Sequence, residues 1–454
     1  MKNINTLLEK LYSLKQTYNT KTLDKINELC QYLDNPHLNY PTIHIAGTNG
    51  KGSVCSLLSS VLQESSYKVG LYTSPHIFKF NERIKINGVC ISDDEIAKIY
   101  NSIDTLATDI NASFFDITTA IAFEYFSKNE VDVAIIETGL GGRLDSTNIV
   151  QPILSIITSI SLDHTDILGT DLIDIIKEKA GIIKEDVPVI IQDTNPEILS
   201  PLITYANKVN APVYVSYNFP YIEFIEYSKP NNDVNLNYRM VYSIANDSNI
   251  DNFRSEKKYF FDDNFLQYEF EIKRYSPLLG KHQLNNIKLV WFASLFIQIN
   301  GGKIKKGDIN KGIENVIQNT GIQHRINNIS KTDKPIILDV SHNKESINSL
   351  VNTISEIYEN MKWNIIFSVM QDKNITQMLQ KIKPICNTLI LPKLDMERSA
   401  SPNLIKTKAQ ILGFKDIIIK KDIFNACDLI KSLNAPSLIC GTFYNVPDVI
   451  SYFE

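Results

Sequence analysis

From Pro41 to about Ser216 six short β-branched, apolar runs alternate with helix-like stretches, and this alternation restricts the fold more than any other feature. The runs are Thr42–Ala46, Val69–Thr73, Val131–Thr138, Ile153–Ile160, Val187–Gln192 and Val213–Ser216. Strands buried on both faces read as continuous apolar segments, and parallel neighbours need a crossover, so the pattern predicts βαβ units in a mostly parallel sheet. Between Glu82 and Ile91 the period becomes two: Ile84, Ile86, Val89 and Ile91 alternate around Asn87-Gly88, a hairpin expected to project from the domain edge. Residues 217–275 are rich in Asn, Asp, Tyr and Ser and read as short antiparallel strands, with alternation at Gln267–Lys273. Helices are expected over Leu284–Ile299 and Ile304–Gln318. Past Gly321 the alternation restarts, with strands at Pro335–Val340, Trp363–Val369, Thr388–Leu391, Asp416–Ile419 and Ser437–Cys440. At 454 residues the chain exceeds the size at which one core keeps growing. The expected fold is α/β: a P-loop-type, mostly parallel sheet domain over residues 1–318, then a smaller Rossmann-like α/β domain over 319–454.

The first run leads into Gly47-Thr48-Asn49-Gly50-Lys51-Gly52-Ser53 and a helix-like stretch from Val54. Glycines let backbone N–H groups turn inward, and the helix presents its positive N-terminal end to an anion. Lys51 would reach terminal phosphates and the Ser53 hydroxyl would face magnesium, so the segment reads as an ATP site. The spacing departs from a standard P-loop, because the segment between the outer glycines is short and Gly52 separates Lys51 from Ser53. A turn that binds nothing is the bland alternative, but Gly-Lys-Gly-Ser opening a helix is poor helix chemistry without a ligand.

Other strand ends carry further candidates. Val131–Ile136 ends in Glu137, a carboxylate where ligands of open α/β sheets bind, and Glu137 is the first choice as a magnesium ligand opposite Ser53. The run Ile153–Ile160 leads to His164, whose imidazole could complete the shell of a second metal; a loop histidine is otherwise a hydrogen-bonding residue. Val69–Thr73 leads to Ser74. The convergence of Ser53, Ser74, Glu137 and His164 on one sheet edge says more than any of them alone.

Composition excludes other classes. Lys plus Arg number 46 against 51 Asp plus Glu, which argues against a nucleic-acid surface. No long apolar run predicts a membrane span, and the amino terminus lacks the apolar stretch of a secretory signal. The six cysteines are scattered without metal or redox spacing, so reduced thiols in a cytoplasmic protein are expected.

The segments His44–Ser53, Thr73–His76, Asn81–Gly88, Glu137–Asn148, Leu162–Gly169 and Glu178-Lys179-Ala180-Gly181 closely resemble the folylpolyglutamate synthase and dihydrofolate synthase family of the Mur ligase superfamily. The likeness continues through Leu279–Gln283 and Asp339–Asn343 to Cys440-Gly441-Thr442-Phe443 and covers nearly the whole chain. It implies a monomeric, ATP-dependent ligase with its active site in the interdomain cleft. ATP would phosphorylate the carboxylate of a folate or dihydropteroate, and the amine of L-glutamate would displace phosphate. It also implies two magnesium ions, one held by Ser53 or the loop backbone with Ser74 and Glu137 and a second that His164 helps to hold, with Lys51 and His164 serving the chemistry.

Lys179 matches a lysine that the family converts with carbon dioxide to a carbamate; by itself it would be an ordinary lysine on a charged helix. The resemblance further assigns nucleotide contacts to the backbone and side chains of Gly47, Thr48, Asn49, Gly50, Lys51, Gly52 and Ser53. Asn286 would read the adenine edge, Arg325 would reach phosphate across the cleft, and Asp339 and His342 would contact ribose and nucleotide. The candidate substrate residues are Pro75, His76, Arg83, Phe115, Asp116 and Arg143, although the aromatics could be core and Asp116 a helix N-cap. Departures lie at His324, where the family usually has glycine before the arginine, at Ser341, and at Ser368–Asn374. A Mur-type ligase for a peptidoglycan precursor and a nucleotide-switch binding protein are the competing readings.

Overall fold

The structure, a computed structural model, describes residues 4–14, 22–216, 221–228, 234–241, 271–323, 325–330 and 332–454. Strands β1 (Thr42–Ala46), β2 (Val69–Tyr72), β3 (Ile84–Ile86), β4 (Val89–Cys90), β5 (Val133–Glu137), β6 (Leu154–Ile157), β7 (Val189–Ile191) and β8 (Val213–Val215) form one eight-stranded sheet. Its order is β4-β3-β2-β5-β1-β6-β7-β8, and β2 to β8 in that row run parallel. β1, β2, β5, β6 and β7 are buried at every position, as their unbroken apolar sequences require.

One face is covered by the helix Lys51–Glu64, which buries Val54, Leu57, Leu58 and Val61. The helices His282–Ile299 and Lys306–Glu314 pack on that helix in turn. Gly312 lets the backbones come close, since a Cβ there would lie 2.4 Å from Val61 Cα, and its carbonyl accepts from Ser60 Oγ at 2.6 Å. The helix Phe114–Lys128 packs on the opposite face with Phe123 and Phe126 fully buried.

The hairpin does not project from the domain. β3 pairs antiparallel with β2, matching Gly70 with Ile86 and Tyr72 with Ile84, so β3 and β4 extend the sheet. Asn87 and Gly88 take the positive φ values of a tight hairpin turn, 45° and 78°. The Asn87 side chain also accepts from the Val69 N–H at 2.8 Å, which fastens the turn to the start of β2.

β9 (Tyr221–Ser228), β10 (Asn235–Val241) and β11 (Glu271–Ser276) form an antiparallel sheet of order β11-β10-β9. Part of the alternation expected at Gln267–Lys273 lies outside the described residues. The helix expected over Ile304–Gln318 is instead two, Lys306–Glu314 and Val316–Thr320. Asn315 stands between them, its amide donating to Glu64 at 3.0 Å.

The third sheet contains β12 (Asn327–Asn328), β13 (Ile336–Leu338), β14 (Trp363–Phe367), β15 (Cys386–Pro392), β16 (Ile417–Lys420) and β17 (Ser437–Cys440), in the order β12-β13-β17-β14-β15-β16. All neighbours are parallel except β12, a polar two-residue edge strand that the sequence did not announce. Among the described residues no helix is long and apolar enough to cross a membrane.

Candidate active site

The connections leaving β1 and β6 run to opposite sides of the first sheet, which opens a crevice beyond the carboxyl ends of those strands. One cavity there is lined by the loop Gly47–Ser53, by residues after β2, β5 and β6, and by residues after β13, β14 and β17 of the third sheet. Ser53, Ser74, Glu137 and His164 all line it, as the strand-end argument expects.

The loop is held open by its surroundings. Thr48 N–H donates to the Ser159 carbonyl at 2.7 Å, and Thr158 Oγ1 donates to the Asn49 carbonyl at 2.8 Å. Gly50 precedes the helix with φ 91°, and a Cβ there would lie 2.7 Å from Asn286 Oδ1, so glycine is required on both counts. Lys51 Nζ folds back on the carbonyls of Gly47 and Thr48 at 3.1 and 3.2 Å. An ammonium held by two loop carbonyls already sits where phosphate oxygens would enter.

Glu137 is 3% exposed at the end of β5 and accepts from the Ser74 N–H at 3.1 Å. Burial raises its carboxyl above the usual range, while Lys51, the Ser74 N–H, Arg325 and Arg83 oppose the rise. A Cβ on Gly52 would lie 3.7 Å from Glu137 Oε2 and 3.9 Å from Arg325 Nη2, so the glycine leaves the space between acid and guanidinium open. Arg325 Nε is buried without a hydrogen-bond partner. A buried carboxylate near a guanidinium whose Nε lacks a partner suits a cation paired with an anionic ligand. Among the described residues no three His, Cys, Asp or Glu side chains gather as a metal cluster, so a cation here would rely on Glu137, serine hydroxyls and oxygens of the ligand.

On the neighbouring strand end, His164 adopts φ 51° and opens the short helix Thr165–Leu168. Burial lowers its imidazole to about 4, so it is neutral near pH 7. Lys179 is buried and donates from Nζ to the Gly47 carbonyl at 2.7 Å. Burial, reinforced by Lys51, lowers its amine to about 7, which separates it from an ordinary lysine on a charged helix.

Another part of the cavity wall is built around Arg83. Its guanidinium lies 5.3 and 5.8 Å from the Phe114 and Phe115 ring centres, and Nε donates to His76 Nδ1 at 2.8 Å. Pro75, Arg83, Phe114 and Phe115 line the cavity, whereas His76, Asp116 and Arg143 do not. Asp116 is not an N-cap. Ser113 caps the helix, and Asp116 at the third helical position returns the bond, Oδ2 accepting from the Ser113 N–H at 2.9 Å. Its other oxygen accepts from Ser146 Oγ at 2.7 Å. Arg143 points to Glu178, Nη2 to Oε1 2.6 Å, and is half exposed, so an ion pair occupies it.

From the third sheet, Asp339 accepts from the N–H groups of Ile326 and Ser341 at 2.9 and 2.8 Å. His342 packs against Phe443 with ring centres 4.8 Å apart and planes tilted by 49°, and Asn286 is buried against the loop at Gly50. Three residues at the meeting of the two sheets received no site role from the sequence, Asp163, Asn343 and Lys373: Asp163 binds Lys373 and Asn343, and Asn343 binds Asn49 of the loop. Asp163 precedes His164 at the same strand end, so the strand-end rule applied to both neighbours would have found it.

Two α/β sheets facing one glycine loop suit a nucleotide-using enzyme, and the families matched by this chain make it an ATP-dependent ligase. A family model of the Mur ligase middle domain matches residues 45–294, and one of the Mur ligase glutamate ligase domain matches 324–440. The chain belongs to the folylpolyglutamate synthase and dihydrofolate synthase family of Mur ligases. It is 30% identical over 435 residues to the dihydrofolate synthase/folylpolyglutamate synthase of Bacillus subtilis, covering 94% of each chain. The crystal structure of folylpolyglutamate synthase from Thermotoga maritima superposes with TM-score 0.78 at 28% identity, covering 99% of this chain and 96% of that one. An Escherichia coli relative in complex with DHPP and ADP superposes with TM-score 0.78 at 25% identity, covering 99% and 97%.

Proposed function

We propose that this protein joins L-glutamate to a reduced folate or to dihydropteroate, with ATP as the phosphate donor. The observation that carries the reading is the shared cavity: a phosphate loop, a buried carboxylate and an aromatic-lined arginine occupy one space. A carboxylate oxygen of the acceptor attacks the γ-phosphorus and ADP leaves. The glutamate amine then attacks the acyl carbon, phosphate leaves, and the amine gives up a proton.

Magnesium, when bound, offsets the repulsion between the triphosphate and the attacking carboxylate. Ser53, Ser74 and Glu137 would hold one ion, and His164 would help to hold a second. Lys51 would leave the loop carbonyls for the terminal phosphates, and Arg325 would place its guanidinium on the same charge. Asn286, Asp339 and His342 would hold the nucleoside end. Carbamylation of Lys179 would turn a buried amine into an anion beside the loop. Arg83, steadied by His76 and Phe115, would meet the acceptor. We take residues 1–318 and 319–454 as the two domains of a cytoplasmic monomer, a compartment in keeping with six free cysteines.

The test is an assay of purified protein with ATP, magnesium and glutamate and, in turn, dihydropteroate, tetrahydrofolate or a peptidoglycan nucleotide precursor. ADP release in step with amide formation is expected with a pterin acceptor. Turnover with the peptidoglycan precursor alone would overturn the assignment.

A further inference from the structure

The side chain of Asp163, on the loop after β6, is 8% exposed, and so is that of its partner Lys373 on the loop after β14, with Nζ to Oδ1 2.7 Å. The other oxygen, Oδ2, accepts from Asn343 Nδ2 at 3.0 Å. That same amide donates to Asn49 Oδ1 in the phosphate loop at 3.0 Å, and Asn49 Nδ2 points back at Asn343 Oδ1 at 3.4 Å. Asn343 also caps the helix Lys344–Ile357, its Oδ1 accepting from the Ser346 N–H at 2.9 Å, so its side chain is fixed from its own sheet. The Asp163 Oδ1 atom accepts from the His164 N–H at 2.9 Å as well. This carboxylate therefore ties the His164 backbone to two loops of the third sheet and, through Asn343, to the loop holding Lys51.

We propose that the Asp163–Lys373 pair, with Asn343 and Asn49, is a positioning clasp that sets Arg325, Asp339 and His342 against the phosphate loop for phosphoryl transfer.

The energetics favour a clasp over a simple brace. Two hydrated ions lose water when the sheets meet, and their attraction roughly offsets that loss only at close range. Such a pair adds little to the depth of the closed state but penalises any closed arrangement in which the ions miss each other. It selects one register of the third sheet against the first. The adjacent charges leave that selection intact: His342 Nε2 stands 4.0 Å from Asp163 Oδ2, and the remaining near carboxylate, Asp372, lies 3.2 Å from Lys373 Nζ on the same loop.

This inference rests on the proposed ligase reading for its kinetic arm only. Small-angle scattering with and without a nonhydrolysable ATP analogue reports closure whatever the acceptor, and steady-state kinetics report its consequence. Lys373→Met should leave the protein more extended in the presence of the analogue and lower kcat roughly tenfold or more, with the acceptor KM within about twofold. Lys373→Arg should retain closure and most of kcat. Asp163→Asn keeps the shape and one acceptor oxygen, and the double variant Asp163→Asn/Lys373→Met should be less impaired than the product of the two single losses. Strictly multiplicative losses, or an unchanged scattering profile with only the glutamate KM raised, would overturn the clasp and make Lys373 a substrate contact. If wild type closes on the analogue but turns over no pterin acceptor, the substrate assignment fails while the clasp stands.

Discussion

Lys179 Nζ donates to the Gly47 carbonyl at 2.7 Å, so a buried amine on the helix Leu172–Ala180 touches the first residue of the phosphate loop. Only the neutral amine reacts with carbon dioxide, and an amine lowered to about 7 is substantially neutral near physiological pH. Activity should therefore fall when carbon dioxide and bicarbonate are removed and return when they are restored. Lys179→Ala should lose most turnover, with partial recovery on adding a small carboxylate; full activity in that variant would refute the role.

The same burial has a signature in stability. In carbon-dioxide-free buffer the folded chain releases the Lys179 proton near pH 7, whereas the unfolded chain keeps it to 10.5. Between those values the unfolded state binds more protons, so this group makes stability rise with pH across that window. Thermal melts from pH 7 to 10 should show the rise in wild type and a smaller one in Lys179→Met. Parallel profiles would mean that the amine is not buried as described.

Glu137 should show function set against stability. Its carboxyl is raised by burial, so ionised Glu137 costs the ligand-free fold stability as pH rises through 4.5 and beyond. Glu137→Gln removes that cost and should melt at the same temperature as wild type or higher at pH 7. Turnover should drop by roughly a hundredfold or more and require higher magnesium, because the amide is a weak cation ligand. A variant equally active at low magnesium would remove Glu137 from the site.

Gly50 tests the loop geometry. Alanine would meet Asn286 Oδ1 at 2.7 Å and hold an unfavourable φ of 91°. The expected destabilisation is roughly 1–3 kcal/mol, read by urea unfolding, together with weaker ATP binding.

These residues differ in how plainly the sequence announces them. β1, β5 and β17 stand out as apolar runs because both faces are covered, and a strand end then points to Glu137 without further information. Asn87-Gly88 likewise specifies a turn, yet the side on which the hairpin lies depends on Val69, a contact no local pattern encodes. β12 is two asparagines held by the edge of β13, with no apolar signal of its own. The clasp is harder still: Asp163 stands at a strand end beside His164, but Asn343 and Lys373 are far from it in the chain, and each of those two alone is an ordinary polar loop residue. Arg143 misleads in the opposite sense, since its place in a glycine-rich segment suggests a ligand while Glu178 already holds it.

Thr147, fully buried behind the glycine turn after β5, offers a last test. Its hydroxyl donates to Asp145 Oδ1 at 2.5 Å and lies 2.8 Å from His44 Nε2. Because that hydroxyl proton goes to the carboxylate, His44 must donate from Nε2, and its Nδ1 is left buried without a partner. Burial lowers the His44 imidazole to about 3, which agrees with a neutral ring. Asp145 Oδ2 in turn accepts from the Leu140 N–H at 2.8 Å, so the chain of bonds runs from the middle of β1 to the glycine loop beyond Glu137. Thr147→Val preserves the shape and deletes the shared hydroxyl, leaving a buried donor and a buried carboxylate each short of one bond. The expected cost is about 2–4 kcal/mol by denaturant unfolding. Thr147→Ser, which keeps the hydroxyl, should recover most of it. If the valine and serine variants were equally stable, the hydroxyl would not be the link between β1 and the Gly139–Gly142 loop.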